Sequence, residues 1–559
     1  MCKFARNWVT MCNDYPDQQH SNSKTKIFNM KRFLSFLAGC AAAATLQAQN
    51  PFLPLWEYIP DGEPYVFEDP DKPGEMRVYV YGSHDSLIDA YCGLEQVVWS
   101  APLSDLTQWR YDGVIFENRK DRDGNLLAAD GKGDLLYAPD VTVRTEADGT
   151  KTYYLFPNVQ NEGRQGLVAR SKRPDGPFEV INWNKDNPRT TDGVLRFDPA
   201  VFIDDDGRVY GYWGFEQSFC AELDPVTMAT VKPGTEIVTD MISNYKQPGV
   251  FRFFEASSIR KIEDKYVFLY SRFTAEGEFG LPQSNYTLAY CYSDHPMGPW
   301  TYGGTVIDGR ARKQDPVTGR TIVTATADGN THGSIFEANG QWWVVYHRQT
   351  GLDEYSRQAM VAPISVKVEK GKGGKVTISE GEYTSEGFSI GGLNPLHRTP
   401  AGLACYYTGP EPATHQWPRH GFSGSYPQPT RGRVWHGGMG QCPVVQNTAG
   451  SVVGYKYFNM DILAKALKGG REAVMQVRLK PLGVAGTLRI LLGAPSEAEG
   501  GREIGRYLFQ ASATQQDTEL YVPLAPGKLR GKQALYFLFD SDTKGQSLCT
   551  LYDFMVQVK

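Results

Sequence analysis

One pattern recurs five times along the chain: a turn of acidic, Asn and Gly residues, then a short strand of aromatic and β-branched residues. It reads Gly74-Glu75-Met76-Arg77-Val78-Tyr79-Val80-Tyr81, Asp148-Gly149-Thr150-Lys151-Thr152-Tyr153-Tyr154-Leu155 and Asp206-Gly207-Arg208-Val209-Tyr210-Gly211-Tyr212-Trp213. It returns as Glu263-Asp264-Lys265-Tyr266-Val267-Phe268-Leu269-Tyr270 and Asn339-Gly340-Gln341-Trp342-Trp343-Val344-Val345-Tyr346. An apolar stretch such as Ala200 to Ile203 or Ser258 to Ile262 precedes each turn, so each unit predicts a β-hairpin. Recurrence at roughly 55 to 80 residues is the length of a four-stranded sheet, and radial repetition of such sheets predicts a five-bladed β-propeller. A β-sandwich also alternates strands and turns, but it does not repeat one motif at blade length. Two further echoes, Ser171 to Phe178 and Ser293 to Trp300, share a Gly-Pro-aromatic ending and predict a repeated outer-strand turn.

The pattern weakens around Ser385 to Pro400, after a Lys- and Gly-rich turn at Val368 to Lys375. From Ala401 onward strands are spaced differently, as in Gly454 to Phe458, Ala473 to Leu479, Thr487 to Leu492 and Ala534 to Phe539, with one helix-like stretch from Asp461 to Leu467. That spacing predicts a second, β-sandwich domain. The all-β chain therefore divides into residues 1–48, 49–388 (propeller) and 389–559 (sandwich).

Met30-Lys31-Arg32, an apolar run from Phe33 and an Ala-rich end at Ala48 have the layout of a secretory signal. Residues 1–29 read as an upstream extension. Cleavage after Ala48 competes with a lipoprotein-like Leu37-Ala38-Gly39-Cys40, which would leave a lipid anchor on Cys40. Either route predicts an exported protein, periplasmic or at the cell surface. No later segment approaches the roughly 20 apolar residues of a membrane span. Six cysteines follow Ala48 without a Cys-x-x-Cys pair, which favours buried thiols over a zinc site. A net charge of -5 without basic clusters argues against nucleic acid as a partner and toward a neutral ligand. Aromatic content of 12%, with 31 Tyr and 11 Trp, suits stacking against sugar rings.

Among 63 acidic residues, three stand in distinctive phrases at the edges of strands: Asp61 in Pro-Asp-Gly-Glu-Pro-Tyr-Val-Phe, Asp198 in Phe-Asp-Pro-Ala-Val-Phe and Glu255 in Phe-Phe-Glu-Ala-Ser-Ser-Ile. One carboxyl to protonate a leaving oxygen, one to activate water and one to tune the acid are the requirements of glycosidic bond hydrolysis. With these phrases stand Tyr79 to Asp85, Tyr137-Ala138-Pro139-Asp140-Val141, Asp204-Asp205-Asp206-Gly207, His332-Gly333-Ser334 and Tyr346-His347-Arg348. In this order they resemble the family 43 glycoside hydrolases, over about residues 51–385. The resemblance implies an inverting five-bladed propeller acting on arabinose- and xylose-containing polysaccharides.

Position by position, the resemblance implies Asp61 as catalytic base, Asp198 as the residue that modulates the acid's pKa, and Glu255 as general acid. The family's Asp-Pro at the base is here Asp61-Gly62, so Glu63 competes for that role. Glu255 follows two Phe residues, a setting that raises a carboxyl pKa. Inversion requires the acid and base roughly 6.5 to 9.5 Å apart. His332 matches a family histidine that holds a calcium or sodium ion at the propeller axis through water; no cofactor is required for the chemistry. Arg348 is similar to an arginine beside the base. Asp140 is expected to line the pocket, with capping of the next strand as the alternative, and Trp213, Phe215 and Tyr137 are candidate sugar-stacking surfaces, with core packing at least as favoured for any one of them. Asp204 to Gly207 is better explained as a turn than as a cation loop. The C-terminal unit resembles a family 6 carbohydrate-binding module through Gly454 to Phe458 and Leu551 to Phe554, either binding sugar or packing as a structural sandwich.

The expected activity is α-L-arabinofuranosidase, with β-xylosidase or a bifunctional enzyme as the nearest alternative. A non-catalytic glycan-binding propeller would be expected to lack one of the three carboxyls.

Overall fold

Each of the five hairpin motifs supplies the second strand of a separate antiparallel sheet. These strands are Met76–Tyr81, Lys151–Phe156, Val209–Trp213, Lys265–Arg272 and Gln341–Gln349. In the computed structural model the first four sheets have four strands each, in sequence order. The fifth has three, ending in Arg357–Ile364. Its outer edge is covered instead by the start of the domain. The Val361 amide donates to Asn50 Oδ1 at 3.0 Å and the Phe52 amide to the Ala359 carbonyl at 3.3 Å. An uncovered edge would present unpaired backbone groups to other chains. The two Gly-Pro echoes join third to fourth strands in the second and fourth sheets.

The structure describes residues 49–87, 90–326, 328–351, 354–411, 414–415, 422–430, 442–511 and 515–559. The signal-like segment and Cys40 lie outside them. No helix among the described residues is long and apolar enough to cross a membrane.

The first strands of the five sheets are Glu63–Glu68, Asp140–Thr145, Ala200–Ile203, Phe253–Ile262 and Ser334–Ala338, and neighbours in this series touch. The Tyr65 hydroxyl donates to Asp140 Oδ1 at 2.6 Å, and Asp140 Oδ2 accepts the Val201 amide at 2.7 Å. The Ser258 hydroxyl meets that of Ser334 at 2.7 Å. The last strand returns to the first through a bridge between Gly62 and Gly333. Both positions demand glycine: a Cβ at Gly62 would stand 2.6 Å from Val345 Cγ1, and one at Gly333 2.0 Å from the Val345 carbonyl oxygen. That close approach accounts for the glycine after Asp61.

After Val376–Ile378 the pairing changes. Two further sheets are built around Ala473–Pro481 with Cys549–Val558, and around Ser451–Asn459 with Lys532–Asp540. Their apolar faces meet in one core with Val453, Met475, Ile490, Phe537 and Phe554. The only α-helix among the described residues, Met460–Ala466, begins where the Asn459 side chain accepts the Asp461 amide. The same core continues into the fifth sheet through Tyr346 and Met360, so residues 47–559 form one compact unit. All six cysteines of this unit are buried.

Candidate active site

Asp61 stands just before the first strand of its sheet, with φ of 60°. Asp198, φ 44°, precedes the third sheet in the same way, and Ala256, φ 69°, follows Glu255 inside a strand. Left-handed backbone at non-glycine residues costs of order 1–3 kcal/mol each, and such strain concentrates at functional sites. Around Glu255 the pairing with Lys265–Arg272 slips twice, between Phe253 and Glu255 and again before Ser258. A bulge of this kind re-aims a side chain that regular alternation would fix.

The Asp61 carboxylate is surrounded by donors. Arg357 Nη1 lies 3.1 Å from Oδ1, and the Ser83 hydroxyl donates to Oδ2 at 2.5 Å. The Asp61 amide donates to Nδ1 of the buried His347 at 3.3 Å, which assigns the ring proton to Nε2, facing the Asn330 carbonyl at 2.9 Å. Burial pushes His347 down to about 4, so the ring stays neutral at working pH. Arg357 is held by Asp85 through two contacts of 2.9 Å. Its guanidinium lies over the Tyr91 ring at 4.9 Å. Burial raises the Asp61 pKa, but the opposing pull, led by the Arg357 guanidinium and including the Ser83 hydroxyl, outweighs it and holds the carboxyl below its ordinary value.

Glu255 has the opposite surroundings. No hydrogen bond from a described residue fixes its carboxyl, and Phe254 beside it packs against Phe215 and Phe273 at 5.2 and 5.4 Å. Burial first, then the negative charges of Asp198 and Asp61, push its pKa well above the carboxylate range. Asp198 links the two. Its Oδ1 accepts from Asn158 Nδ2 at 2.8 Å and its Oδ2 from the Ala256 amide at 3.0 Å, tying it to the backbone next to Glu255. Burial raises Asp198 to about 6 against the opposing pull of His332.

His332 is buried between two carboxylates, with Nδ1 3.7 Å from Asp198 Oδ2 and Nε2 4.0 Å from Glu63 Oε1. The Nε2 and Oε1 atoms are buried without hydrogen-bond partners, a polar gap of the kind that a water or a hydrated ion fills. No group of three or more His, Cys, Asp or Glu among the described residues could hold a metal directly. Glu63 itself is engaged by Arg260, with Nη2 to Oε2 at 2.6 Å.

Three expectations are overturned by this geometry. Asp140 is 1% exposed and its oxygens are taken by Tyr65 and the Val141 and Val201 amides, so it joins strands and does not line a pocket. Trp213 is 4% exposed and stacks on Phe219 inside the third sheet's core; Phe215 is the exposed ring nearby. Arg348 does not sit beside the base. Its guanidinium is 1% exposed and donates to the Gly402 and Ala404 carbonyls, the Tyr407 hydroxyl and Gln358 Oε1, joining the two regions of the fold. The arginine at the base is Arg357, nine positions further along the chain. Its only sequence signal is a cationic residue at the start of a strand that otherwise reads as apolar.

Comparison with known proteins identifies the family. The model of the family described as glycosyl hydrolases family 43 matches residues 77–369. A "Xylosidase/arabinosidase" of Thermoclostridium stercorarium is 34% identical over 387 residues, which cover 64% of this chain and 72% of that protein. A "Xylosidase/arabinosidase 43A" of Humicola insolens is 31% identical over 251 residues, covering 38% and 65%. An "Arabinoxylan arabinofuranohydrolase" of Paenibacillus polymyxa is 26% identical over 308 residues, covering 53% and 44%. The chain thus spans under two thirds of the length of the last two. With the family match covering more than half of its residues and enclosing Asp198 and Glu255, the chain belongs to glycosyl hydrolase family 43.

Proposed function

We propose that the protein releases α-L-arabinofuranosyl units from plant polysaccharides by single-step inversion. The observation that carries this reading is the separation of the carboxyls by environment: Asp61 held ionised by donors, Glu255 held protonated by burial and like charge. Asp61 takes a proton from water as that water attacks the anomeric carbon. Glu255 gives its proton to the departing glycosidic oxygen on the other face. The bond to that oxygen breaks as the new carbon–oxygen bond forms, so the anomeric configuration inverts. Asp198, ionised above about pH 6, keeps the proton on Glu255 and fixes its backbone through the Ala256 amide. Asp61 is the base in preference to Glu63, because Glu63 is paired with Arg260 whereas Asp61 carries the Arg357 and Ser83 contacts.

The ring of contacts between five first strands supports a five-bladed propeller, with the carboxyls at its axis. The two later sheets support a sandwich related to family 6 carbohydrate-binding modules. A hydrated calcium or sodium ion at His332 would fill the polar gap facing Glu63 and hold the imidazole in place. Residues 30–48 would direct export. The second reading is β-xylosidase activity, alone or combined, supported by the Thermoclostridium and Humicola relatives, both described as xylosidase/arabinosidases.

The test is release of nitrophenol from α-L-arabinofuranoside, β-D-xyloside and β-D-galactoside substrates, with the product's first-formed anomer followed by proton NMR. Faster turnover of the arabinofuranoside with inverted product is expected. Turnover of none of the three, or a retained anomer, would overturn the mechanism.

A further inference from the structure

Exposed aromatic rings are few. Among the large apolar side chains that stand exposed in the described residues, only Trp56, Tyr111, Phe215 and Tyr521 are aromatic. Two of the four share one neighbour. Trp56, 38% exposed, lies 6.1 Å from the buried Trp99 ring, and Tyr111, 47% exposed, lies 5.4 Å from the same ring. Trp99 and Tyr111 are paired across adjacent strands of the first sheet. Phe215 belongs to the Glu255 side of the active site through Phe254, and Tyr521 stands alone in the C-terminal region.

The Trp56–Trp99–Tyr111 group is built and held in place. Glu57, buried, accepts from Trp99 Nε1 at 2.9 Å and contacts His84 Nε2 at 3.1 Å, while Glu95 Oε1 stands 3.6 Å from His84 Nδ1. Burial works against charge on His84, but the two carboxylates prevail and raise it to about 9, so the ring is an imidazolium that locks Glu57. The group is also continuous with the catalytic site. Ser83, beside His84, donates to Asp61, and Asp85, on its other side, holds Arg357 and donates its amide N–H to the Tyr58 carbonyl at 3.0 Å.

We infer that Trp56 and Tyr111 form a sugar-stacking platform that binds further units of a neutral polysaccharide chain whose cleaved unit occupies the Asp61 and Glu255 site. This rests on the glycoside hydrolase reading for the class of ligand. Exposed aromatic faces stack against the apolar faces of sugar rings at low conformational cost, since their orientation is already fixed. The carboxylate of Glu95, partly exposed beside His84, can accept hydroxyl hydrogens and disfavours acidic chains. A core-packing role would have covered both rings.

The experiment compares the wild type with Trp56→Ala, Tyr111→Ala and the double variant, in soluble arabinoxylan and on nitrophenyl α-L-arabinofuranoside. The ratio of kcat/KM on the polymer to that on the small substrate is expected to fall about tenfold in the double variant, equivalent to about 1.4 kcal/mol for the two exposed rings together. Trp56→Phe and Tyr111→Phe should restore most of it. Affinity electrophoresis of the Glu255→Gln protein through arabinoxylan gives an independent readout. Retardation should be lost with the double substitution, retained with Tyr521→Ala, and absent in polygalacturonate. An unchanged ratio, or unchanged retardation, overturns the platform. An inactive wild type that is still retarded through Trp56 and Tyr111 overturns the activity and leaves the platform standing.

Discussion

The two sides of the active site use the same functional group in opposite surroundings. Asp61 faces a guanidinium, a hydroxyl and a neutral imidazole, each placed by a strand end or loop of the first or fifth sheet. Glu255 has no such donors among the described residues: it follows Phe254, which packs against Phe215 and Phe273, and it feels the negative charges of Asp198 and Asp61. Opposite surroundings let one site hold a base and an acid at the same pH. The lesson is that assignment of roles lies in the partners and not in the carboxyls. Asp198 shows it from between them: bonded to an amide and a backbone N–H yet buried, it settles at about 6.

The largest expected effect separates the two carboxyls by leaving group. Glu255→Gln should lower kcat about 10³-fold on substrates with a sugar leaving group and far less on nitrophenyl substrates, which depart without a proton. Asp61→Asn should lower both to a similar extent, since water activation is needed for every leaving group. Equal leaving-group dependence in the two variants would break the assignment.

A smaller effect should follow from removing the cation at the base. Arg357→Met is expected to reduce kcat/KM about 10- to 100-fold and to move the acid limb of the pH profile upward, because Asp61 then titrates nearer or above its ordinary value. Arg357→Lys should recover part of the shift. An acid limb that stays in place would show that Arg357 shapes the site without tuning Asp61.

The smallest effect is in stability. Glu255 has a folded pKa raised above its unfolded value, so between the two values the folded state holds a proton that the unfolded state has released. Stability therefore falls as pH rises through that window, by at most about 1.4 kcal/mol per pH unit from this group. Asp198 adds the same sign between the ordinary Asp value and about 6. Asp61, with a lowered pKa, contributes stability above its unfolded value that is lost as pH falls through the folded one. Thermal melts from pH 5 to 8 should show a shallower decline in Glu255→Gln than in the wild type. Parallel curves would mean that Glu255 ionises normally.

Much of the fold was legible because its signals are local. A turn of Asp or Asn with Gly, followed by a strand of Tyr, Val and Phe, specifies a hairpin within eight residues, and all five motifs became second strands. The C-terminal strands from Gly454, Ala473, Thr487 and Ala534 were read for the same reason. The three carboxyls came from phrases at strand edges. Trp213 could be read either as a sugar-stacking or as a core ring, because both faces of its sheet are covered by neighbours and alternation cannot tell a buried ring from a ligand-facing one; the structure puts it in the core. Arg348 and Arg357 lie on adjacent paired strands of one sheet, and nothing in either local sequence says which guanidinium turns toward Asp61.

By itself, then, the sequence determined the hairpins and the all-β class, since turn propensity and strand patterning act over a few residues, and it singled out the acidic residues proposed to carry the chemistry by their phrases at strand edges. Tertiary structure decided which cation meets which carboxylate. The Arg357 contact to Asp61 spans 296 positions and the Asp198 contact to Ala256 spans 58, so both exist only once separate sheets have been packed together. Burial, the largest influence on the pKa of Glu255, Asp198 and Asp61 alike, is a property of that packing and of no residue alone.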